Sequence, residues 1–230
     1  MSKTQETAVL PVKEVVIKPP NFKFGVFKLI GTTPYVQNAF SEKAKQKMIE
    51  TQKAGTQATK KRTKEPKDFI ECYENSKHIS REGWAGIPAG AFRAAMVSAC
   101  RLVQFKMTIG KLTVFVLQDG FDAKDGTPLV KITKGEPHYV EHLVRLDSGT
   151  ADVRARAMWD EGWEAIVKMK YDGDFFTFDD VTNLLWRVGE QIGVGEGRPD
   201  SKDSVGMGWG LFRIEGKPLD KLPGEIRGKG

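Results

Sequence analysis

The feature that most constrains the fold is the order of three segments near the end of the sequence: an amphipathic helix, a glycine-rich loop and an apolar strand. Thr177 is placed to cap the helix, and Asp180 completes the spacing of a capping box. Apolar residues then recur at helical spacing as far as Ile192. Gly193 stands where a helix commonly ends in left-handed backbone, so the pattern predicts a helix over 177–192.

The loop that follows runs from Gly193 to Gly210 and contains six glycines. Familiar nucleotide-binding loops lead from a strand into a helix, whereas this loop leads from a helix into a strand predicted over 211–214. Glycines permit positive φ and leave backbone amides uncovered, so we expect a polyanion to approach the main chain here. Arg198, Lys202 and Arg213 would supply the positive charge.

Bulk properties narrow the class of protein. The 230 residues are 40% hydrophobic, enough for one large domain or two small ones, and the net charge of +6 favours an anionic partner. Cys72 and Cys100 are far apart and form no CxxC pair, as expected in a reducing compartment. Residues 1–10 are polar, and no stretch approaches the ~18 apolar residues of a membrane span, so we expect a cytoplasmic protein without membrane contact.

The order of elements predicts an α+β fold with a β-α-β-β-α-β core, which suggests a ferredoxin-like domain with inserted hairpins and a basic flexible loop. We expect tails at 1–20 and 217–230, a domain at 21–216 and an insertion at 41–86. The segment 69–84 is left open between strand and helix. The predicted strands are 22–30, 112–117, 129–132, 139–146, 153–158, 163–171 and 211–214; the predicted helices are 41–53, 88–103 and 177–192. Strands 112–117 and 129–132 are expected to pair as a hairpin.

Two basic segments have alternative interpretations. The run around Lys60, Lys61 and Arg62 is either a solvated loop or a mobile arm that contacts phosphates. Arg154 and Arg156 alternate with apolar residues on a predicted strand and therefore share one face. That face either lines a phosphate track or pairs with acidic side chains.

The glycine pattern resembles that of the RAMP superfamily of CRISPR-associated RNA-binding proteins, which have ferredoxin-like, RRM-like domains. The shared pattern is G-x-G, a polar stretch, then G-x-G-x-hydrophobic between the last helix and the last strand. It is matched here by Gly193, Gly195, Gly197, Gly206, Gly208 and Gly210 before Leu211 and Phe212. The chain is also similar to uncharacterised phage and prophage proteins through Gly86–Ala89 and Gly195–Pro199.

The resemblance implies binding to single-stranded nucleic acid, RNA rather than DNA, by a homo-oligomer or a subunit of a ribonucleoprotein in the cytoplasm, or in the host cytoplasm of a phage. It implies backbone contacts by Gly195, Gly197, Gly206, Gly208, Arg198 and Lys202. Trp209 inside the loop is a candidate for stacking on bases.

No catalytic residue, metal site or cofactor is predicted, because Walker loops, serine elbows and CxxC pairs are absent from the sequence. Two alternatives stay open. One is a phage protein that mimics or blocks a host nucleic-acid complex. The other is a nuclease that uses acids near the glycine loop.

Overall fold

The computed structural model of the chain describes residues 17–40, 42–54, 67–145, 149, 151–201, 207–220 and 222. Part of the sequence prediction lies outside these residues. That part comprises most of both tails and the candidate contacts Lys60, Lys61, Arg62, Lys202 and Gly206.

The predicted α+β class is confirmed, since the described residues form both α-helices and antiparallel strands. The strands are β1 (Phe22–Gly31), β2 (Tyr35–Gln37), β3 (Gly86–Pro88), β4 (Val114–Leu117), β5 (Gly120–Phe121), β6 (Pro128–Lys134), β7 (His138–Arg145), β8 (Ala151–Trp159), β9 (Glu164–Asp172) and β10 (Phe212–Leu219). The α-helices are α1 (Glu42–Ala54), α2 (Phe69–Ser76), α3 (Ala89–Ala99), α4 (Met107–Thr113) and α5 (Phe178–Arg187). A 3₁₀ helix (Cys100–Val103) follows α3, and a π-helix (Val188–Ile192) follows α5. None of the described helices is both long and apolar enough to cross a membrane.

The larger sheet is organised around β9, which uses both of its edges. One edge pairs with β1, which pairs in turn with β10. The other edge is divided, because the C-terminal part of β9 pairs with β4 and its N-terminal part pairs with β6. β6 also carries β3 and β5, and all these pairs are antiparallel. Beyond β9, the path β10-β1-β9 therefore continues to two strands on the same edge, β4 beside the C-terminal part of β9 and β6 beside its N-terminal part.

A second antiparallel sheet has the order β2-β8-β7 and joins the first through an aromatic cluster. The ring of Tyr35 lies 5.5 Å from the rings of both Trp159 and Trp163, measured between centroids. All three side chains are buried, and the indole of Trp163 donates to the carbonyl of Thr33 over 3.0 Å. The short turn between β1 and β2 is thereby held against the start of β9.

The main core lies on one face of the larger sheet. Side chains of β9 alternate in direction, so that Ala165, Val167, Met169 and Tyr171 are buried on this face. They form one apolar cluster with buried side chains of the two helices α3 and α5, namely Phe92, Met96, Val181, Leu184 and Leu185. The opposite face, called the outer face below, carries the alternate residues of β9 and leaves them partly exposed.

The predicted apolar stripe of the 88–103 helix is confirmed in its first part and wrong at its end. Phe92, Met96 and Ala99 are buried, but Leu102 and Val103 are exposed. The α-helix ends at Ala99 and continues as a 3₁₀ helix. Its period of three residues rotates the last two side chains away from the core. At the other end, β3 finishes at Pro88 and α3 begins at the next residue.

The predicted hairpin between 112–117 and 129–132 is wrong. Residues up to Thr113 belong to α4, and both β4 and β6 pair with β9 rather than with each other. The turn-forming acids instead close a smaller hairpin of β5 and β6, in which Asp122 accepts the amide of Lys124 and Asp125 accepts that of Thr127. Apolar alternation predicts a strand but not the strand with which it pairs. Here β4 and β6 both pair with the edge of β9 that β1 does not use.

The described elements give the outcome for three further segments. Residues 69–76 are helical, with Asp68 capping the amide of Glu71. The charged helix predicted over 41–53 forms as α1, and its expected cap at Ser41 lies outside the described residues. β10 extends to Leu219, so the predicted boundary at 216 falls inside a strand.

The capping box of α5 forms as predicted. The Thr177 hydroxyl accepts the amide of Asp180, and the Asp180 carboxylate accepts the amide of Thr177. Hydrogen bonds from the Thr177 side chain and backbone hold the pKa of Asp180 below its usual value. The reciprocal bonds satisfy two amides that a helix start otherwise leaves without partners.

We therefore expect Thr177→Ala to lower the free energy of unfolding by about 1 kcal/mol, the usual loss for a capping hydroxyl. Thr177→Ser keeps the oxygen and is the matched control, which should lose much less. Urea denaturation followed by circular dichroism measures both changes. An equal loss in the two variants would contradict a capping role for the hydroxyl.

Candidate anion-binding groove

The described residues of the glycine-rich loop, 193–201 and 207–210, are packed against the rest of the protein. Several of its amides donate to backbone carbonyls, among them Val194 to Gly210 over 3.0 Å, Glu196 to Val36 over 3.0 Å, and Gly210 to Pro34 over 2.7 Å. These hydrogen bonds fasten the loop to itself, to β2 and to the residue before β2. The expectation that the loop offers uncovered amides to a polyanion is therefore wrong at these positions.

The glycines of the loop serve close packing. Gly195 has a φ of +84°, and a Cβ atom there would lie 2.5 Å from the carbonyl oxygen of Val36. Gly210 has a φ of +73°, and its Cβ would lie 1.8 Å from the oxygen of Val194. Only glycine combines this backbone with this proximity. Gly208 also has positive φ, at +70°, but a Cβ there would meet open space.

Arg154 and Arg156 share one face of β8, as predicted, and both bind the carboxylate of Glu196. Arg154 donates through Nη1 to Oε1, and Arg156 donates through Nε to Oε2 over 2.7 Å. The Glu196 side chain is only 4% exposed, so this carboxylate is an internal counter-ion. Of the two interpretations of this face, pairing with an acid is the one that the contacts support.

A second link joins the loop to the end of α3. Asp200 accepts hydrogen bonds from the Ser98 hydroxyl over 2.5 Å and from the Arg101 guanidinium over 2.6 Å. Burial acts to raise the pKa of the Asp200 carboxyl, but the bonds from Ser98 and Arg101 outweigh it and hold that pKa below its usual value. Residues 193–201 of the loop are thus anchored at two points, by Glu196 to β8 and by Asp200 to the end of α3.

Between these anchors runs an open groove with a volume of about 980 Å³. The loop forms one wall, and the exposed side of α3 forms the floor. Among the described lining residues, five carry positive charge and two carry negative charge. The cations are Arg93, Arg101, Lys111, Arg154 and Arg198; the acids are Glu196 and Asp200, both already bound by arginine. The groove therefore has an excess of positive charge.

The floor of the groove is low because small residues follow one another at helical spacing on α3. Gly90 and Ala94 lie one turn apart, and Ser98 lies one turn further. A Cβ atom at Gly90 would meet nothing within 4 Å, which shows how much room lies above the helix.

The end of the groove near β2 is polar without being strongly charged. It is lined by Asn38, Gln37 and His78. Nδ1 of His78 lies 2.8 Å from the buried carboxylate of Asp122, and the backbone amide of His78 donates to the side chain of Gln37. The imidazole is fixed in orientation by these contacts.

The other predicted contact residues have different surroundings. Trp209 is half-buried, with its ring 4.9 Å from that of His142 in an edge-on arrangement and its six-membered ring against Gly197. Burial lowers the pKa of His142. Arg198 lines the groove and donates to the carbonyl of Gly195, whereas Arg213 is exposed on β10 and is not among the lining residues.

The sequence prediction missed the contribution of α3, the 3₁₀ helix and α4, which supply Arg93, Arg101 and Lys111 respectively. A signal was present in the spacing of Gly90, Ala94 and Arg101, which places them on one helical face opposite the apolar stripe. That signal does not reveal that the glycine loop faces the same side.

Comparison of the sequence with protein-family models returned no match, and comparison with curated proteins returned none either. The chemistry of the groove is accordingly argued from its own residues.

The packing role of the loop glycines gives a testable difference between two substitutions. Gly195→Ala combines an unfavourable backbone with a clash against a carbonyl, whereas Gly208→Ala has only the unfavourable backbone. We expect Gly208→Ala to cost about 1 kcal/mol of unfolding free energy and Gly195→Ala to cost several times more. Urea denaturation of both variants measures the difference. Equal losses would mean that the loop does not pack closely against β2.

Proposed function

We propose that this protein binds single-stranded nucleic acid along the groove between α3 and the glycine-rich loop. The observation that carries the proposal is the set of five cations around an open groove whose two carboxylates are already engaged. Phosphate contacts by lysine and arginine dominate the affinity of nucleic-acid-binding proteins. The loop shapes one wall of this site, and side chains supply the charge in place of bare amides.

The arginines are held in position before any ligand arrives. Nε of Arg93 donates to the carbonyl of Val114 over 3.3 Å, and its Nη2 donates to that of Lys111. Arg101 and Arg154 are held by carboxylates. A guanidinium has five N–H donors, so each of these side chains keeps donors for a phosphate after two or three are engaged. Fixed arginines lose less conformational entropy on binding.

RNA is favoured over DNA by the polar end of the groove. The amide of Asn38 and the imidazole of His78, whose Nδ1 is occupied by Asp122, can hydrogen-bond a 2′-hydroxyl. This hydroxyl is the group by which a protein distinguishes RNA from DNA.

We further propose that the fold is a ferredoxin-like core of the RAMP type. The strands β1, β4, β9 and β10 occur in this order in the chain, with α3 between the first two, α5 between the last two and other elements inserted between them. Their spatial order is β10-β1-β9-β4 and all are antiparallel, which supports a β-α-β-β-α-β core. The position of the glycine loop between α5 and β10 supports the likeness to the RAMP superfamily.

The test is fluorescence anisotropy with a labelled single-stranded RNA at about 50 mM salt and at higher salt concentrations. Each phosphate contact contributes about 0.7 to the slope of log K against log salt for single strands. We expect Lys111→Gln to reduce affinity and to lower this slope by about 0.7. Lys217→Gln removes the same charge from exposed β10, outside the groove lining, and should change neither quantity.

Single-stranded DNA of the same sequence should bind more weakly than RNA, and Asn38→Ala should reduce the difference. Absence of RNA binding by the wild-type protein at low salt would refute the proposed function. Equal effects of Lys111→Gln and Lys217→Gln would show that binding occurs elsewhere on the surface.

A further inference from the structure

Two phenylalanine rings on the outer face of the larger sheet contact each other outside the core. Phe22 belongs to β1 and Phe115 to β4, the two strands on either side of β9. Their ring centroids are 6.0 Å apart with an interplanar angle of 79°, so the rings meet across the top of β9. Phe22 is 38% exposed, whereas Phe27 on the opposite face of the same strand is fully buried. The pair is therefore an aromatic surface open to solvent.

A lysine of β9 lies against both rings. The ammonium of Lys170 is 4.4 Å from the centroid of Phe22 and 5.2 Å from that of Phe115. Two other lysines of the outer face, Lys28 and Lys168, are paired with the carboxylates of Glu164 and Asp119 respectively. Within the described part of the chain, Lys170 has the rings as its contacts and no carboxylate.

One side chain connects this aromatic surface to the groove. Arg93 lines the groove, and its guanidinium lies 5.4 Å from the centroid of Phe115. Helix α3 packs on the inner face of the sheet, and Arg93 reaches the edge strand β4, where it bonds the carbonyl of Val114. A strand of nucleic acid that leaves the groove past Arg93 therefore arrives at the two rings.

We propose that Phe22 and Phe115 form a base-stacking subsite for the same single strand whose phosphates lie in the groove. The inference rests on the proposed function and concerns the bases of the strand, whereas the groove binds its phosphates. Aromatic side chains stack on bases of any sequence, because every base has a π face, and adjacent cations then meet the phosphates.

The positive charge of Lys170 beside the two rings favours a nucleic-acid strand over an apolar protein surface as the ligand. A protein that covered the rings with apolar side chains would also bury the ammonium of Lys170 without a carboxylate, which is unfavourable. A nucleic-acid strand covers the rings with bases and brings a phosphate within reach of Lys170 and Arg93. The same contacts thus satisfy the aromatic and the cationic groups.

The experiment compares two probes of equal length, a labelled oligouridylate of about 12 nucleotides and a strand of the same backbone without bases. The wild-type protein should bind the oligouridylate at least about fivefold more tightly than the abasic strand. Phe22→Leu and Phe115→Leu keep an apolar side chain but remove the ring. Each should remove most of that preference and leave the affinity for the abasic strand unchanged.

Phe121→Leu is the matched control, since Phe121 is 40% exposed, has the Arg81 guanidinium 5.9 Å from its ring centroid and does not line the groove. It should change neither affinity. Lys111→Gln should weaken both probes alike. A 2-aminopurine base placed in the strand gives an independent signal, because its fluorescence is quenched on stacking and should recover in Phe22→Leu.

The outcomes separate the two proposals. Failure of the wild-type protein to bind either probe would overturn the proposed function and the subsite together. Binding of both probes with a base preference that survives Phe22→Leu and Phe115→Leu would overturn the subsite alone. A Phe22→Leu variant that weakens both probes equally, with 2-aminopurine fluorescence unchanged, would also overturn it.

Discussion

The contact on which the site depends is the buried carboxylate of Glu196 between Arg154 and Arg156. A charge removed from water is tolerated only when it is paired and hydrogen-bonded, and here both carboxylate oxygens are occupied. This pairing fastens the glycine-rich loop to β8 and so fixes one wall of the groove. An acid in the loop therefore need not oppose an anionic ligand, because the charge of Glu196 is balanced by the two arginines that bind it. The charge left over for a ligand comes from other elements.

Local signals explain which parts of the fold were predictable. The capping box of Thr177 and Asp180 and the alternation in β1 and β9 are determined by neighbours in sequence, and these elements form nearly as predicted. The groove was not predictable, because Arg101 and Asp200 are 99 residues apart in the chain and meet only after α3 and the loop have packed. Likewise, the sequence indicates that Gly195 permits positive φ, but not that a carbonyl of β2 lies against it. Pairing partners of strands and neighbours of loops depend on the whole fold.

In the proposed binding mode, the groove and the outer face divide the recognition of a strand between two kinds of chemistry. The proposal assigns phosphates to the cations held by backbone carbonyls or carboxylates, and bases to the rings on the sheet. Neither kind reads a sequence by hydrogen bonds to base edges, so the proposed binding is tolerant of sequence. Arg93 belongs to both surfaces, since it lines one and covers a ring of the other. The two surfaces are therefore parts of one continuous path around the edge strand β4.

The direct passage from β3 into α3 has a mechanical consequence. No residue separates Pro88 from Ala89, so the orientation of α3 follows the ladder that β3 makes with β6. The position of the glycine-rich loop, on the other side of the groove, depends on β8 through the two arginines that bind Glu196. The gap between the two is thus set by strand pairing on both sides and not by the stiffness of a loop. A molecule wider than the groove could enter only by straining the strand pairs of β3 and β8. The width of the groove therefore limits the thickness of a ligand.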